Sequence, residues 1–253
     1  MKALITGASS GIGRDFAREL SRRGYDLILA ARRVPRMEKL ARELNTHVSV
    51  VGVDLARQDQ CYDLYRQARD ESVDIVINCA GFGVFGPFDE TDLERELELI
   101  HVNIRAVHIL TKLFYRDFKK RDSGYILNVA SSAAFQPGPL LSSYYASKAY
   151  VLHLTEALAE ELRRDSSRVY IGALCPGPVQ TEFDTVANVR FSVKGLSSEF
   201  VARYALDKMF ARKTVIIPGF TMKAALFGER FLPRSTVTRI AYHMQKRKTT
   251  PKK

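Results

Sequence analysis

Short apolar segments alternate with amphipathic segments along most of the chain, and this alternation strongly limits the folds that it can adopt. The predicted strands are Lys2–Thr6, Asp26–Ala31, His47–Val53, Asp74–Cys79, Gly124–Ala130, Val169–Leu174 and Thr214–Ile217. The predicted helices are Ile12–Arg23, Pro35–Asn45, Gln58–Asp70, Asp92–Lys120, Ser142–Arg164 and Ser197–Arg212. Apolar strands separated by helices indicate a parallel sheet covered on both faces. Right-handed crossovers then predict an α/β fold with a doubly wound parallel sheet of about seven strands.

The length and composition are those of one globular domain. Chains of about 200–250 residues commonly form a single α/β unit, and this chain has 253 residues. Hydrophobic residues make up 46% and charged residues 26% of it, an ordinary globular balance. No apolar run approaches the length needed to span a bilayer, and no secretion signal is visible. We therefore expect one cytoplasmic domain over residues 1–253.

A glycine-rich turn follows the first predicted strand and opens the first helix. Its sequence is Thr6-Gly7-Ala8-Ser9-Ser10-Gly11-Ile12-Gly13. In such a turn one glycine allows a sharp bend, one lets the backbone approach a pyrophosphate, and one lets the helix pack close to the sheet. The N–H groups and dipole at the helix N-terminus also favour phosphate. The turn therefore predicts a Rossmann-type site for a dinucleotide.

The end of the second predicted strand indicates which dinucleotide is bound. NAD-binding turns commonly have an acidic residue about 20 positions after the glycines, which binds the ribose 2′-hydroxyl. Here Ala31 takes that place, and Arg32 and Arg33 follow it. Arginine offers a planar, charged fork to a 2′-phosphate, and Ser10 could add a hydroxyl. We expect NADP(H) to be favoured over NAD(H); the alternative is that both arginines merely begin the next helix.

A tyrosine and a lysine on the predicted helix Ser142–Arg164 have a spacing that suits proton transfer. Tyr144 and Lys148 are four residues apart and so share one helix face, while Tyr145 is a rival at a spacing of three. A phenol has an ordinary pKa of about 10. A nearby cation favours the phenolate, so we expect Lys148 to bring the pKa of its tyrosine towards neutrality.

Two further polar positions lie where a site would form. Ser131 follows a predicted strand, and ligands bind at the carboxyl ends of such strands. Its hydroxyl could hold a substrate oxygen and share developing charge, with Ser132 as the alternative. Asn103 interrupts the apolar stripe of a predicted helix and therefore needs a partner inside the protein, either a functional one or the backbone.

These motifs resemble, in their order along the chain, the short-chain dehydrogenase/reductase family in its single-domain branch. The glycine turn, Asn-x-Ala-Gly at 78–81, and Tyr-x-x-x-Lys at 144–148 match, and the resemblance runs from Lys2 to about Thr181. It implies a catalytic set of Asn103, Ser131, Tyr144 and Lys148. In the family the tyrosine is the proton donor, and the asparagine holds a water that joins the lysine to a proton path.

The resemblance also implies a set of cofactor contacts, with Asp54 meeting the adenine and the Pro176-Gly177 turn meeting the nicotinamide. Together with Arg32 and Arg33, the expected cofactor-binding residues are Gly7, Ser9, Ser10, Gly11, Ile12, Gly13, Asp54, Leu55, Asn78, Ala80, Gly81, Tyr144, Lys148, Pro176, Gly177, Val179 and Thr181.

Beyond Phe183 the resemblance is loose, and this is where the family builds substrate specificity. Segment 182–196 is rich in apolar residues and is predicted to be a substrate lid. We expect Ser131, Tyr144 and Phe183 to bind the substrate. The apolar lining indicates a ketone, an aldehyde or a 3-oxoacyl compound rather than a small charged acid. Two alternatives stay open: an alcohol dehydrogenase working in the reverse direction, and a dinucleotide sensor without turnover.

Partners and metals are constrained by the remaining features. The two long predicted helices carry spare apolar surface, so we expect a homodimer or homotetramer. The five histidines and three cysteines have no spacing that suits a metal, and the cysteines are expected to be buried free thiols.

The net charge of +11 is concentrated at the C-terminus, where eight Lys or Arg and one Glu lie between Gly228 and Lys253. We therefore define residues 220–253 as a basic C-terminal extension. Such a tail attracts acidic lipid or nucleic acid, although a solvated tail that keeps the chain soluble explains it more simply. We expect no nucleic-acid partner, and a weak contact with a membrane surface stays open.

Overall fold

A seven-stranded parallel sheet forms the centre of the molecule, in a computed structural model that describes residues 1–183 and 195–246. Its strands are β1 Lys2–Thr6, β2 Asp26–Ala31, β3 Val48–Gly52, β4 Ile75–Asn78, β5 Tyr125–Val129, β6 Tyr170–Leu174 and β9 Val215–Ile216. Their order is β3-β2-β1-β4-β5-β6-β9. The predicted α/β fold with a doubly wound parallel sheet is confirmed. A separate short pair, β7 Val179–Gln180 and β8 Leu196–Ser197, was not predicted.

Helices cover both faces of this sheet. They are α1 Gly11–Arg22, α2 Val34–Glu43, α3 Gln58–Asp70, α4 Leu93–Ile100, α5 Val107–Arg121, α6 Ser142–Arg164, α7 Ser198–Phe210, α8 Phe220–Glu229 and α9 Arg234–Lys246. Helices α1, α2 and α7 bury their apolar side chains against one face. Helices α3, α5 and α6 bury theirs against the other. Among the described helices, none is long and apolar enough to cross a membrane.

The long helix predicted over Asp92–Lys120 is not continuous. A π-helical stretch, His101–Ala106, separates α4 from α5. Asn103 lies in this stretch and is fully buried. Its amide donates to the carbonyl oxygen of Phe82 at 2.9 Å and to the Ser147 hydroxyl at 3.0 Å. π-helical turns are frequent at functional sites, and here the turn directs a polar side chain to the loop that follows β4.

The sheet places the chemically important loops at one edge. The glycine turn follows β1, residues 79–82 follow β4, Ser131 follows β5, and Pro176 lies just beyond β6. Because these strands are parallel, their carboxyl ends meet along this edge. Helices α8 and α9 close the same side of the molecule and were not among the predicted helices.

Candidate active site

A cavity of about 1080 Å³ lies at the carboxyl ends of the central strands. Nearly every site residue expected from the sequence lines it. These residues are Gly7, Ser9, Ser10, Gly11, Ile12, Gly13, Arg32, Arg33, Asp54, Leu55, Ala80, Gly81, Ser131, Tyr144, Lys148, Pro176, Gly177, Val179, Thr181 and Phe183.

Two of the expected site residues, Asn78 and Asn103, do not line this cavity. Asn78 was expected to contact the cofactor. Its amide instead donates to Asn128 Oδ1 at 2.8 Å and to the Thr111 hydroxyl at 3.2 Å, inside the protein. Asn78 therefore joins β4 to β5 and α5, which is a structural position.

The glycine turn forms a cradle that a larger residue would fill. Gly7 has a φ of +69°, and a Cβ atom built on it would lie 2.8 Å from the Cα of Ala80. A Cβ on Gly13 would lie 2.4 Å from the carbonyl oxygen of Gly7. Both contacts are too short to exist, so only glycine permits this close approach of α1, β1 and the loop after β4. The cradle fits a pyrophosphate at the N-terminus of α1.

The two arginines after β2 have different surroundings. Arg33 donates to the hydroxyl of Ser10 at 2.7 Å and to that of Ser9 at 3.2 Å. It also pairs with Glu182 at 2.8 Å, and so lies across the mouth of the glycine turn. Arg32 also lines the cavity, but its guanidinium pairs with Glu98 on α4 at 2.9 Å. Although Arg33 directly precedes α2, its side chain faces the cavity rather than merely beginning that helix.

Tyr144, Ser131 and Lys148 come together on one wall of the cavity. The Ser131 hydroxyl interacts with the phenol of Tyr144 and acts to lower the pKa of that phenol. Lys148 is buried, and its Nζ donates to the carbonyl oxygen of Val129 at 2.8 Å and lies 5.8 Å from the centre of the Tyr144 ring. A Cβ on Gly81 would come within 3.3 Å of that Nζ, so Gly81 gives the amine room.

Burial shifts the pKa values of Tyr144 and Lys148 in opposite directions. Burial raises the pKa of Tyr144 to about 12, and the hydrogen bond from Ser131 opposes this only in part. Burial lowers the pKa of Lys148 to about 8. The expectation that Lys148 brings the pKa of Tyr144 towards neutrality stays a prediction, since burial is the largest influence on both groups.

Tyr145, the rival of Tyr144, is held by a different contact. Its hydroxyl accepts a hydrogen bond from the side-chain amide of Gln245 on α9. The two tyrosine rings meet edge to face, with centroids 6.2 Å apart. Of the two phenols, only that of Tyr144 interacts with Ser131. The structure thus separates two neighbours that spacing alone left open.

Asn103 supports the site from behind the cavity wall. Besides donating to Phe82 and Ser147, it accepts a hydrogen bond from the Phe82 N–H at 3.1 Å. It therefore bonds both the N–H and the carbonyl oxygen of Phe82 and so holds the loop after β4 in place. Ser147, its partner on α6, was missed by the sequence analysis, since a serine within a helix carries no signal of its own. The expected water between Asn103 and Lys148 stays a prediction.

The far wall of the cavity comes from α8 and α9. Its apolar members are Met222, Ala225, Leu226, Leu232, Val237, Ile240, Ala241 and Met244. The apolar stripe of Val237, Ile240, Ala241 and Met244 is visible in the sequence as a helix docked on its own domain or on a membrane interface, but no motif connects it or α8 with the cavity. Phe183 does lie at the site, with its ring centroid 5.2 Å from that of Tyr144. Residues 184–194 of the expected lid lie outside the described residues.

Comparisons with known proteins agree with this geometry. The family model of short chain dehydrogenases matches residues 1–190. An uncharacterized oxidoreductase of Staphylococcus epidermidis is 33% identical over 181 residues, which cover 71% of this chain and 78% of that protein. Human 17-beta-hydroxysteroid dehydrogenase type 3 is 32% identical over 205 residues, 79% of this chain and 65% of that protein.

A solved structure has the same architecture. The short-chain dehydrogenase from Sphingobium yanoikuyae in complex with NADPH has a TM-score of 0.82 at 31% identity, and the match covers 90% of this chain and 93% of that one. The family model spans β1 to β7, including the glycine turn and the Tyr144–Lys148 pair. The resemblance drawn from the motifs is confirmed: this chain belongs to the short-chain dehydrogenase family and is an oxidoreductase.

Proposed function

We propose that the chain is an NADP(H)-dependent reductase that converts an apolar ketone, aldehyde or 3-oxoacyl compound into an alcohol. The observation that carries the proposal is the convergence of Ser131, Tyr144 and the buried amine of Lys148 on one cavity, with Lys148 Nζ 5.8 Å from the centre of the Tyr144 ring. A protein that only bound a dinucleotide would need no proton donor at this position.

The residues of the cavity fit a nicotinamide dinucleotide. The glycine cradle suits the pyrophosphate, and Asp54 and Leu55 line the cavity beyond the end of β3. Arg33, together with Ser9 and Ser10, offers a cation and two hydroxyls to a 2′-phosphate. When bound, the reduced cofactor supplies the hydride that reaches the carbonyl carbon.

Side chains of the protein bind the carbonyl oxygen of the substrate and supply the proton that it receives. Ser131 donates a hydrogen bond to the substrate oxygen and shares the charge that develops there. Tyr144 gives its proton to that oxygen, which completes the alcohol; its raised pKa keeps the phenol protonated at neutral pH. Lys148 is largely cationic below about pH 8 and stabilises the phenolate that remains.

The substrate class follows from the far wall. Every cavity residue named on α8 and α9 is apolar apart from Gly228, Glu229 and Gln245, and such a wall selects an apolar body with a few polar contacts. The name of the human relative, a hydroxysteroid dehydrogenase, describes an enzyme of an apolar substrate and supports the same class here.

A substrate screen tests the proposal. NADPH oxidation is followed against a panel of apolar ketones, aldehydes and 3-oxoacyl thioesters, with small charged keto acids as the matched control. We expect turnover with apolar members and none with the keto acids. Tight NADPH binding without turnover on the whole panel would instead identify a dinucleotide sensor.

Arg33 provides the test of cofactor choice. Arg33→Ala is expected to weaken NADPH binding by about tenfold or more, because charge-assisted hydrogen bonds contribute about 1.5–3 kcal/mol. NADH affinity should hardly change. Arg32→Ala is the matched control and should have the smaller effect, since its guanidinium pairs with Glu98. Calorimetric titration measures all four affinities, and equal losses for NADPH and NADH would contradict the assignment.

We further propose a homodimer or homotetramer and a cytoplasmic location. The dimer would be formed by α4, α5 and α6, on which Leu93, Leu97, Ile100 and Tyr150 are exposed. The location is supported by the cysteines, since Cys61, Cys79 and Cys175 are all free thiols, as suits a reducing compartment.

A further inference from the structure

Residues 220–246 form α8, the turn after it and α9. We name their exposed surface the C-terminal face, and much of it is apolar. Helix α8 is largely apolar in sequence, yet none of its residues is buried. Three phenylalanines stand out, Phe220 at 83%, Phe227 at 60% and Phe231 at 74% exposure. Contiguous apolar surface of this kind on a folded protein marks a place where something binds.

Basic side chains surround these phenylalanines. Residues 220–246 contain five Lys or Arg and a single Glu. Arg230, Arg234 and Arg239 are exposed. In the part of the chain that the structure describes, no carboxylate forms an ion pair with any of the three. The C-terminal face therefore combines exposed aromatic rings with uncompensated positive charge.

The C-terminal face also surrounds the mouth of the cavity. Leu232, Ile240 and Met244 line the cavity, and they are 46%, 46% and 54% exposed at the outer surface. Met222 and Leu226 line it from α8, on the helix that carries Phe220 and Phe227. An apolar path therefore leads from the exposed face to the wall opposite Tyr144.

We propose that the C-terminal face docks on the surface of an anionic lipid bilayer, with Phe220, Phe227 and Phe231 inserted at the headgroup level. Apolar residues flanked by Lys and Arg are the pattern of interfacial helices, which gain affinity from buried apolar area and from attraction to acidic lipids. Docking would place the mouth of the cavity next to the hydrocarbon region of the bilayer. The reductase, if the proposed function holds, then takes carbonyl lipids directly from the bilayer.

A bilayer explains the C-terminal face better than a second copy of the chain. A two-fold contact through this face would bring two patches that both carry Arg230, Arg234 and Arg239 together, and like charges facing each other are destabilising. The only acid in 220–246, Glu229, is half-buried at the cavity side. The positive charge of the C-terminal face therefore favours a negatively charged partner, and acidic phospholipids provide such a surface.

Vesicle binding tests the proposal without any substrate. The full chain is sedimented with vesicles of phosphatidylcholine containing about 30 mol % phosphatidylserine, and with vesicles of phosphatidylcholine alone. We expect binding to the first, little binding to the second, and weakening with added salt because the attraction is screened.

Two variants separate the apolar contribution to vesicle binding from the electrostatic one. Phe220→Ser, Phe227→Ser and Phe231→Ser combined should weaken binding by about tenfold or more, through loss of apolar area. Arg230→Glu with Arg234→Glu should weaken it by a similar factor, and only on anionic vesicles. Phe88→Ser is the matched control, because Phe88 is 71% exposed but lies outside the C-terminal face; it should bind like the unaltered chain.

Three results would overturn the proposal: no binding of the unaltered chain to anionic vesicles, unchanged binding in the triple variant, or an equal loss in Phe88→Ser. A fall in the solution mass of the triple variant would also overturn it, by showing that the face joins two copies.

Reduction of a water-soluble ketone, measured without vesicles, should be the same in the triple variant as in the unaltered chain. Its absence in every form of the chain would count against the proposed function while leaving the docking result intact.

Discussion

At the scale of single residues, two adjacent tyrosines show how position decides chemistry. The phenol of Tyr144 interacts with Ser131, whereas that of Tyr145 accepts a hydrogen bond from Gln245. Burial raises the pKa of both phenols to about 12, so titration does not separate them. Their partners do, because only Tyr144 is placed beside a second hydroxyl that could hold the same substrate oxygen.

Exchange of each tyrosine for phenylalanine should give opposite results. Tyr144→Phe removes one oxygen and little volume, so NADPH affinity and melting temperature should stay close to those of the unaltered chain. Its turnover should fall by at least about 10²–10⁴-fold, the usual contribution of general acid catalysis. Steady-state NADPH oxidation measures the loss.

The matched control is Tyr145→Phe, which should keep most of its turnover while losing the contact with Gln245. If Tyr145→Phe were inactive and Tyr144→Phe active, the proton donor would be the other tyrosine. If both variants turned over normally, neither phenol would be the donor.

Lys148 sets the expected pH dependence. Its pKa is lowered to about 8 by burial, so the amine is charged below that pH and loses its charge above it. Since the charge stabilises the phenolate of Tyr144, kcat/KM for reduction should fall as the pH rises through about 8. Tyr144 itself, with a pKa of about 12, stays protonated over this range.

The profile is measured from about pH 6 to about pH 10 with one ketone. In Lys148→Met the decrease near pH 8 should disappear, together with most of the activity. A flat profile for the unaltered chain across this range would show that the charge of Lys148 does not assist the reaction.

At the scale of elements, the contact between β1 and α1 depends on the absence of side chains. A methyl group on Gly13 would lie 2.4 Å from the Gly7 carbonyl oxygen, so the helix would have to move away from the strand. Overpacking of this kind costs about 1–3 kcal/mol. Gly13→Ala should therefore lower the melting temperature by several degrees and weaken NADPH binding, measured by calorimetry.

Gly228→Ala is the control for this change. It lies on α8 with nothing within 4 Å of the added methyl, and alanine favours a helix. Its melting temperature should equal or exceed that of the unaltered chain. A Gly13→Ala variant as stable as this control would show that the strand–helix contact relaxes freely.

The elements that could be predicted from sequence are those with a periodic pattern. Strands β1 and β2 and helices α3 and α6 have the predicted bounds, because each buries an unbroken run or a regular stripe. The π-helical stretch around Asn103 was not predicted, since it leaves the apolar stripe intact and is fixed by contacts with Phe82 and Ser147. Helix α8 buries none of its residues, so it lacks the one-sided pattern from which helices are recognised.

The site shows the same division. The glycine turn, Ser131, Tyr144 and Lys148 could be predicted because local geometry restricts the residue types there. The wall from α8 and α9 could not, since any apolar residues of suitable size would serve. The position of Asn78, bonded to Asn128 rather than lining the cavity, depends on the pairing of β4 with β5, which spacing along one strand does not show.

At the scale of the whole molecule, the surface of α4 and α6 predicts self-association. Leu93 and Ile100 are exposed on α4, and Tyr150 is exposed on α6. Light scattering at micromolar concentration should give two or four times the mass of the chain. Leu93→Glu with Ile100→Glu should give the monomer mass, because charge is then buried in the contact. Tyr62→Glu, on the exposed side of α3, should not change the mass.

A monomer mass for the unaltered chain would contradict the oligomer, whereas dissociation in Tyr62→Glu would place the contact elsewhere. These surfaces are separate from the C-terminal face, so self-association through α4 and α6 leaves Phe220, Phe227 and Phe231 outside the contact.

The two opposite walls of the cavity have a consequence for how the chain can change over generations. The wall that carries Ser131 and Tyr144 is built from the end of β5 and the start of α6, while the apolar wall that we propose selects the substrate comes from α8 and α9. Replacements among Met222, Leu226 and Ile240 alter the shape offered to a ketone without disturbing the sheet. Substitutions in α8 and α9 can thus change which substrates fit, while the wall with Ser131 and Tyr144 keeps the same reaction.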